Sequence, residues 1–119
     1  MKLPFQIDLS GKIAVITGAG GVLCSGFAKV LAACDAKVAL LDINMAAAQV
    51  VADEIAADGG TAIAVEANCL KSDSLHAAYE KVITELGPCD ILINGAGGNN
   101  PRGTTDNETM TPDMLDNKD

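Results

Sequence analysis

The chain has 119 residues and a formal net charge of −8, and 49% of its residues are apolar while only 3% are aromatic. This length allows one domain at most, and the composition predicts an aliphatic core like that of a parallel sheet covered by helices. The acidic balance argues against a nucleic-acid partner, since phosphate contacts need clustered Lys and Arg. No apolar run approaches the roughly 20 residues that span a bilayer, so we expect no membrane partner.

The N-terminus and the cysteines indicate the compartment. The stretch MKLPFQIDLSGK lacks the uninterrupted apolar segment of a secretory signal, so we expect a cytoplasmic protein. Four scattered cysteines form no C-x-x-C pair and are expected to be reduced thiols, not a metal site: Cys24, Cys34, Cys69 and Cys89. The single histidine, His76, lies in a stretch with helical spacing and is predicted to be a helix-surface residue.

Predicted strands and helices alternate along the chain. Short aliphatic and β-branched runs predict strands over 12–17, 36–41, 61–66 and 90–93. Helical spacing predicts helices over 22–33, 45–57 and 72–86. Asn44 is the predicted N-cap of the second helix, and Ser72 is the predicted cap of the third. Gly59 follows the second helix, where glycine commonly ends a helix.

The element order β-α-β-α-β-α-β predicts an α/β fold with a parallel sheet and right-handed crossovers. Residues 1–98 form this unit, and we find no second domain. Residues 99–119 are polar with hardly any apolar periodicity, which predicts a loop followed by a tail. In such open sheets, ligands bind beyond the carboxyl ends of the strands, so those positions are the candidate site.

The first strand runs into a glycine-rich turn, ITGAGGVLCSG, with Gly18, Gly20 and Gly21 ahead of the first helix. Glycines let the backbone approach a ligand and adopt positive φ, and the N-terminus of the following helix favours an anion. A phosphate-binding loop and a plain tight turn both fit this segment on its own.

The second strand ends at Asp42, 24 residues after Gly18. A carboxylate near this spacing can accept hydrogen bonds from an adenosine ribose, and it would repel a 2′-phosphate, which favours NAD over NADP. The alternative is a strand-end residue that caps the next helix.

The third and fourth strands end in small polar or glycine-rich turns. Asn68 and Cys69 follow the third strand, where a short polar side chain either contacts an adenine or serves as a turn residue. Asn94-Gly95-Ala96-Gly97-Gly98 follows the fourth strand, and its small residues let a cofactor pass close to the backbone. The four turns together are more specific than any one of them.

On these motifs the chain resembles the N-terminal part of a short-chain dehydrogenase/reductase. The resemblance rests on TGAGG after the first strand, LLD at the end of the second and ILINGAGG at the fourth. It covers residues 9 to about 108. The stretches TGAGGVLCSG, GPCDILINGAGGN and TTDNE are similar to the sugar-acid subgroup, the D-mannonate (fructuronate) oxidoreductases. The family implies a Rossmann-type sheet with flanking helices, incomplete here relative to a full family member.

The resemblance also implies an NAD site built from the strand-end residues. The turn after the first strand lines the pyrophosphate, and Asp42 holds the adenosine ribose. Asn68 and Cys69 flank the adenine, while the turn after the fourth strand passes the adenosine-side ribose and the middle of the cofactor. The residues implied in these two turns are Gly18, Gly20, Gly21, Leu23, Gly95, Ala96 and Gly97.

Several positions depart from the family pattern. The family commonly has T-G-x-x-x-G-x-G, and Val22 and Cys24 stand at its last two glycines. We expect Val22 to crowd the pyrophosphate and Cys24 to be a small packing residue, with a redox-sensitive thiol as the alternative. Asn68 stands where the family commonly has Asp, and Gly95 replaces the second residue of Asn-Asn-Ala-Gly.

The catalytic residues of the family have no counterpart here. The family transfers a hydride between the nicotinamide and a carbinol or carbonyl carbon, using a Ser, a Tyr and a Lys four residues after the Tyr. The only tyrosine is Tyr79, four residues before Ile83, and it precedes the fourth strand. We therefore expect no catalytic residue in this chain, and we expect the Ser, Tyr and Lys beyond Asp119.

The favoured hypothesis is an NAD-dependent oxidoreductase that acts on a sugar acid or polyol, present here as its nucleotide-binding half and expected to be inactive alone. A small-molecule substrate and a homo-oligomer are expected, because the fourth strand would be an apolar sheet edge. The alternatives are a dinucleotide-binding module without turnover and, ranked last, a nucleoside-binding methyltransferase. The NGAGG turn argues against the methyltransferase.

Overall fold

The structure, a computed structural model, describes residues 2–97, which contain four strands and three helices. The strands are β1 Ile13–Thr17, β2 Lys37–Asp42, β3 Thr61–Glu66 and β4 Ile91–Asn94. The helices are α1 Val22–Ala33, α2 Met45–Ala57 and α3 Ser72–Glu85. All strand pairings are parallel, and the strand order is β3-β2-β1-β4. The predicted α/β fold of Rossmann type is therefore confirmed.

The sheet is covered by helices on both faces. Alternate residues of β1 point to opposite sides, as the period of a strand requires. Ala14 and Ile16 pack in a core with buried residues of α1 and α2, while Ile13 and Val15 pack in a second core with α3. Both cores are aliphatic, as the composition predicts, and the two phenylalanines and the tyrosine are exposed.

The sequence signals at the ends of α2 act as predicted. The side chain of Asn44 accepts a hydrogen bond from the Ala47 N–H at 3.1 Å, which satisfies one of the free donors at the helix start. Gly59 follows the helix with φ +89°, and its N–H donates to the Ala56 carbonyl at 3.0 Å. This left-handed conformation favours glycine and ends the helix.

The predicted cap of α3 is wrong. Lys71 is the N-cap residue and makes no side-chain cap bond, while Ser72 is already the first helical residue. The hydroxyl of Ser74 instead accepts the Asn68 N–H at 2.8 Å, which ties the preceding turn to the helix. The helix also ends one residue earlier than predicted, at Glu85.

The bounds of β3 are as predicted, and β1 begins one residue later than predicted. β2 and β4 each lie one residue further along the chain than predicted, so they end at Asp42 and Asn94. Their last residues pair with or lie next to the end of β1, because Thr17 is opposite both Leu41 and Asn94. The carboxyl ends of all four strands consequently meet at one edge of the sheet. Within residues 2–97, no helix is long and apolar enough to cross a bilayer.

Candidate functional site

A cavity of about 600 Å³ lies at the carboxyl ends of the four strands. Every strand-end turn contributes to its wall, as the rule for open parallel sheets predicts. Eight of the predicted site residues line it: Gly18, Gly21, Asp42, Asn68, Cys69, Gly95, Ala96 and Gly97. The fold therefore brings residues from four separate turns together around one cavity.

The turns after β1 and β4 are in direct contact. Gly18 has φ +66°, and a Cβ added to it would lie 2.8 Å from the Gly95 carbonyl oxygen and 2.9 Å from the Ala96 nitrogen. Glycine is therefore required at this position both by its backbone conformation and by the close approach of the second turn. Gly18 shapes the cavity by letting the two turns meet.

The hydroxyl of Thr17 holds the β4 turn in place. Thr17 is buried, and its Oγ1 accepts hydrogen bonds from the N–H groups of Gly95 and Ala96, both at 3.1 Å. The Gly95 N–H also lies 3.2 Å from the Thr17 carbonyl oxygen. Sequence reasoning missed this role, although a threonine next to a glycine turn at a strand end was a visible signal.

Asp42 lines the cavity and organises the loop beside it. Its Oδ2 accepts the Gly20 N–H at 2.8 Å, and its Oδ1 accepts the Asn44 N–H at 2.9 Å. A carboxylate oxygen can accept more than one hydrogen bond, so both oxygens keep capacity for a ligand hydroxyl. Gly20 does not line the cavity, and a Cβ on it would lie 2.9 Å from Asp42 Oδ2 and 2.7 Å from the Ala47 Cβ.

Asn68 forms a tight turn after β3. Its Oδ1 accepts the Leu70 N–H at 3.0 Å, and its backbone carbonyl accepts the Lys71 N–H at 3.0 Å. An asparagine that bonds its own backbone two residues on is a common turn device. The amide oxygen of Asn68 is engaged in this turn, and its NH₂ group is the part of the side chain that can donate a hydrogen bond to a ligand.

The start of α1 carries no side-chain cap, because its N-cap residue is Gly21. The first bond of the helix runs from the Ser25 N–H to the Gly21 carbonyl, so the N–H groups of residues 22–24 have no acceptor within the helix. Leu23 and Val22 are 70% and 94% exposed, and neither lines the cavity. The cofactor contact predicted for Leu23 and the crowding predicted for Val22 stay predictions.

Cys24 is a packing residue in this structure. It is buried in the core between α1 and the sheet and is a free thiol. Its neighbour Gly95 lines the cavity, whereas Cys24 does not.

The cavity also has apolar residues that the motifs did not single out: Ile43, Ala67 and Leu70. Ile43 and Leu70 are 65% and 95% exposed, which is unusual for large aliphatic side chains. Ile43 could have been recognised from the sequence as a residue of the site, because it directly follows Asp42 at the end of β2. No feature of the sequence marked Leu70.

Tyr79 and His76 lie on α3 and do not line the cavity. Tyr79 is 47% exposed, in line with the predicted helix-surface role. His76 is exposed and contacts Glu80 at 3.2 Å, one helical turn away, which confirms its predicted surface position. Among residues 2–97, no group of three or more His, Cys, Asp or Glu side chains could hold a metal ion.

Known proteins with similar sequences and structures cover much of this chain. An oxidoreductase of undetermined activity from Haemophilus influenzae is 51% identical over 108 residues, which are 91% of this chain and 38% of that protein. A solved structure of a provisionally named D-mannonate oxidoreductase from Haemophilus influenzae, with bound NAD, is 52% identical with a TM-score of 0.77. It is matched over 89% of this chain and 38% of its own.

A third comparison is a metagenomic short-chain oxidoreductase solved in complex with NADP. It is 34% identical, with a TM-score of 0.72, and is matched over 76% of this chain and 41% of its own. The chain thus spans about two fifths of the length of the proteins it matches. The sequence profile of the short chain dehydrogenases matches residues 12–116, and with the parallel sheet and its strand-end cavity this places the chain in the short chain dehydrogenase family.

Proposed function

We propose that this chain is the nucleotide-binding part of an NAD-dependent oxidoreductase of the short chain dehydrogenase family. The observation that carries the proposal is the cavity at the ends of all four strands, with the Asp42 carboxylate in its wall. When bound there, NAD supplies the hydride acceptor. The residues of this chain bind and orient it.

In this proposal each of the four turns binds a different part of the cofactor. The uncapped N–H groups at the start of α1 suit the negatively charged pyrophosphate. Asp42 accepts hydrogen bonds from the adenosine ribose hydroxyls, and the apolar side chains of Ile43 and Leu70 cover the adenine ring. The NH₂ group of Asn68 donates to a ring nitrogen of the adenine.

A preference for NAD over NADP belongs to the same proposal, and Asp42 carries it. A 2′-phosphate beside this carboxylate would bring like charges together at a partly exposed site, at a cost of about 1–4 kcal/mol. The Asp42→Ala and Asp42→Asn variants should both lower the ratio of the NADPH Kd to the NADH Kd, by about tenfold. The ratio of the two Kd values is measured because both variants also lose or weaken the bonds of Asp42 to the Gly20 and Asn44 N–H groups. That loss should weaken the binding of NADH and NADPH alike and leave the ratio unchanged.

The test is a titration of the chain with NADH and NADPH by nicotinamide fluorescence. Asp53→Asn is the matched control, because it removes the same charge from an exposed position on α2 and should leave the ratio unchanged. An unchanged ratio in both Asp42 variants would contradict the preference for NAD. No binding of either cofactor by the folded parent chain would contradict the whole proposal.

We further propose that the substrate of the whole enzyme is a sugar acid or a related polyol. The support is the 52% identity to the provisionally named D-mannonate oxidoreductase, together with the motifs of that subgroup. The assay is the D-mannonate-dependent reduction of NAD, with a secondary alcohol that carries no carboxylate as the comparison. A higher kcat/KM for the alcohol would contradict the sugar-acid proposal.

A second candidate is a dinucleotide-binding module without turnover. It is favoured by the position of the only tyrosine, Tyr79, which lies on α3 away from the cavity and has no lysine four residues later. It predicts NADH binding without any oxidation of D-mannonate by the 119-residue chain. A cytoplasmic setting fits both candidates, since all four cysteines are free thiols.

A further inference from the structure

Cys24 and Gly95 occupy one shared volume. An ideal Cβ built on Gly95 would overlap the Sγ atom of Cys24 and would lie 3.5 Å from the Cys24 Cβ. Gly95 does not have a positive φ, so its conformation alone does not require glycine. The thiol on α1 therefore fills the space that a side chain at the start of the β4 turn would otherwise take.

The β4 turn is held on its other sides by β1. The hydroxyl of Thr17 accepts the N–H groups of Gly95 and Ala96, and the backbone of Gly18 closes on the Gly95 carbonyl. These contacts tie the turn to the end of β1 but do not fill the gap toward α1. Cys24, only 7% exposed, fills that gap. The segment 95–97, which forms part of the cavity wall, is thus clamped between a strand end and a helix.

We propose that Cys24 is a positioning residue for the cofactor site: its thiol packs against Gly95 and fixes the 95–97 wall of the cavity. The identity of the ligand rests on the function proposed above. The two departures from the family pattern, at residues 24 and 95, then compensate each other, since a side chain is present at one position and absent at the other. Cys24 acts through Gly95 and does not itself touch the cavity.

This proposal makes an unexpected claim about the family residue. Cys24→Gly restores the glycine that the family commonly carries, so the family pattern alone would suggest that this variant binds the cofactor more tightly. The contact between Cys24 and Gly95 predicts the opposite, because removal of the thiol leaves a space into which residues 95–97 can shift. We expect the NADH Kd to rise about threefold in Cys24→Gly and about tenfold or more in Gly95→Ala.

The test is a double-mutant cycle on the chain, with the NADH Kd and the thermal midpoint measured for each protein. In the double variant Cys24→Gly, Gly95→Ala, the new methyl group enters the vacated volume. Its Kd should therefore be at least about tenfold lower than the product of the two single effects predicts. The rescue should be incomplete, since the new Cβ still lies 3.0 Å from the Thr17 carbonyl oxygen.

Ser25→Gly is the matched control for glycine in the first turns of α1. It should lower the thermal midpoint because it places glycine in the helix, although less than Cys24→Gly, which also empties a buried volume, and it should leave the NADH Kd within about twofold of the parent. If the NADH Kd rises equally in Ser25→Gly and Cys24→Gly, loss of helix stability and not loss of the contact between Cys24 and Gly95 explains the weaker binding.

The outcomes separate this proposal from the function it rests on. If the parent chain binds NADH and the two substitutions act additively on the Kd, the positioning role is wrong. The positioning role is also wrong if Cys24→Gly binds NADH as tightly as the parent. This comparison can be made even if Gly95→Ala fails to fold. Coupling in the thermal midpoint without coupling in the Kd would reduce the pair to a packing contact. Absence of NADH binding by the folded parent is the separate failure of the proposed function.

Discussion

The hydroxyl of Thr17 is the contact between β1 and the β4 turn whose removal can be predicted in most detail. Thr17→Val keeps the shape of a buried β-branched residue and removes the hydroxyl, which accepts from the Gly95 and Ala96 N–H groups and donates to Asn94 Oδ1 at 3.4 Å. The Ala96 N–H then loses its acceptor, while the Gly95 N–H keeps the Thr17 carbonyl at 3.2 Å. The Ala96 N–H is thus left without a protein acceptor, the Gly95 N–H keeps only one of two, and Asn94 Oδ1 loses a long hydrogen bond.

The size of the effect follows from the cost of a part-buried donor that loses its partner. Such a group costs about 1–3 kcal/mol when it is buried; Gly95 and Ala96 are exposed and only their bonds to Thr17 are part-buried, which places this case at the low end, at about 1 kcal/mol of unfolding free energy. For a domain of this size, that corresponds to a fall of about 4–8 °C in the thermal midpoint. NADH binding should weaken as well, because residues 95–97 form part of the cavity wall.

The assay is urea denaturation followed by circular dichroism, together with hydrogen exchange of the Ala96 amide. Thr84→Val is the matched control, because its hydroxyl donates to the Glu80 carbonyl at 2.9 Å on the exposed surface of α3. This variant should change the unfolding free energy by less than about 0.5 kcal/mol. Thr17→Ser loses a buried methyl group but keeps the hydroxyl, so it should retain the slow exchange of Ala96.

Two results would refute this reasoning. The first is a Thr17→Val protein whose unfolding free energy lies within about 0.5 kcal/mol of the parent, since one orphaned donor alone should exceed that value. The second is an Ala96 amide that exchanges equally fast in the parent and in Thr17→Val. Either result would mean that the turn is held by packing and not by the hydroxyl.

Two further predictions concern glycines. Gly18→Ala should destabilise the chain more than Gly11→Ala does, because both have positive φ but only the Gly18 Cβ would meet backbone, 2.8 Å from the Gly95 carbonyl oxygen. Gly11→Ala should cost about 1–2 kcal/mol for conformation alone, so equal losses in urea denaturation would argue against the close approach. Gly26→Ala lies in α1 with open space around its Cβ and should raise stability by about 0.5–1 kcal/mol, whereas a lower thermal midpoint would reveal an unrecognised contact.

The sequence predicts the elements of this fold well because their signals are local. The apolar runs of β1 and β3, the Asn44 cap and the glycine after α2 each act within a few residues, and each lies within one residue of its predicted position. The cap of α3 is the exception. Ser72 and Ser74 are equally good capping residues by type, and the turn at Asn68 engages Ser74 through tertiary geometry.

The candidate site is predictable only in part for the same reason. Asp42 and Asn68 are visible as polar residues at strand ends, and the fold brings both to the cavity. The pairing of Cys24 with Gly95 depends on how α1 packs against the turn after β4, and these positions lie far apart in the sequence. In the sequence, Cys24 and Gly95 are two unrelated departures from the family pattern, and only the packing shows that they share a volume.

The strand order also determines when the site can first exist during synthesis. β1 emerges early, yet its second neighbour in the sheet is β4, the last of the described strands to be made. The two must close a long loop before they pair, which is typically a late and slow event in folding. The cavity wall at residues 95–97 is therefore completed last, so a bound nucleotide should slow the unfolding of the finished domain more than it speeds its folding.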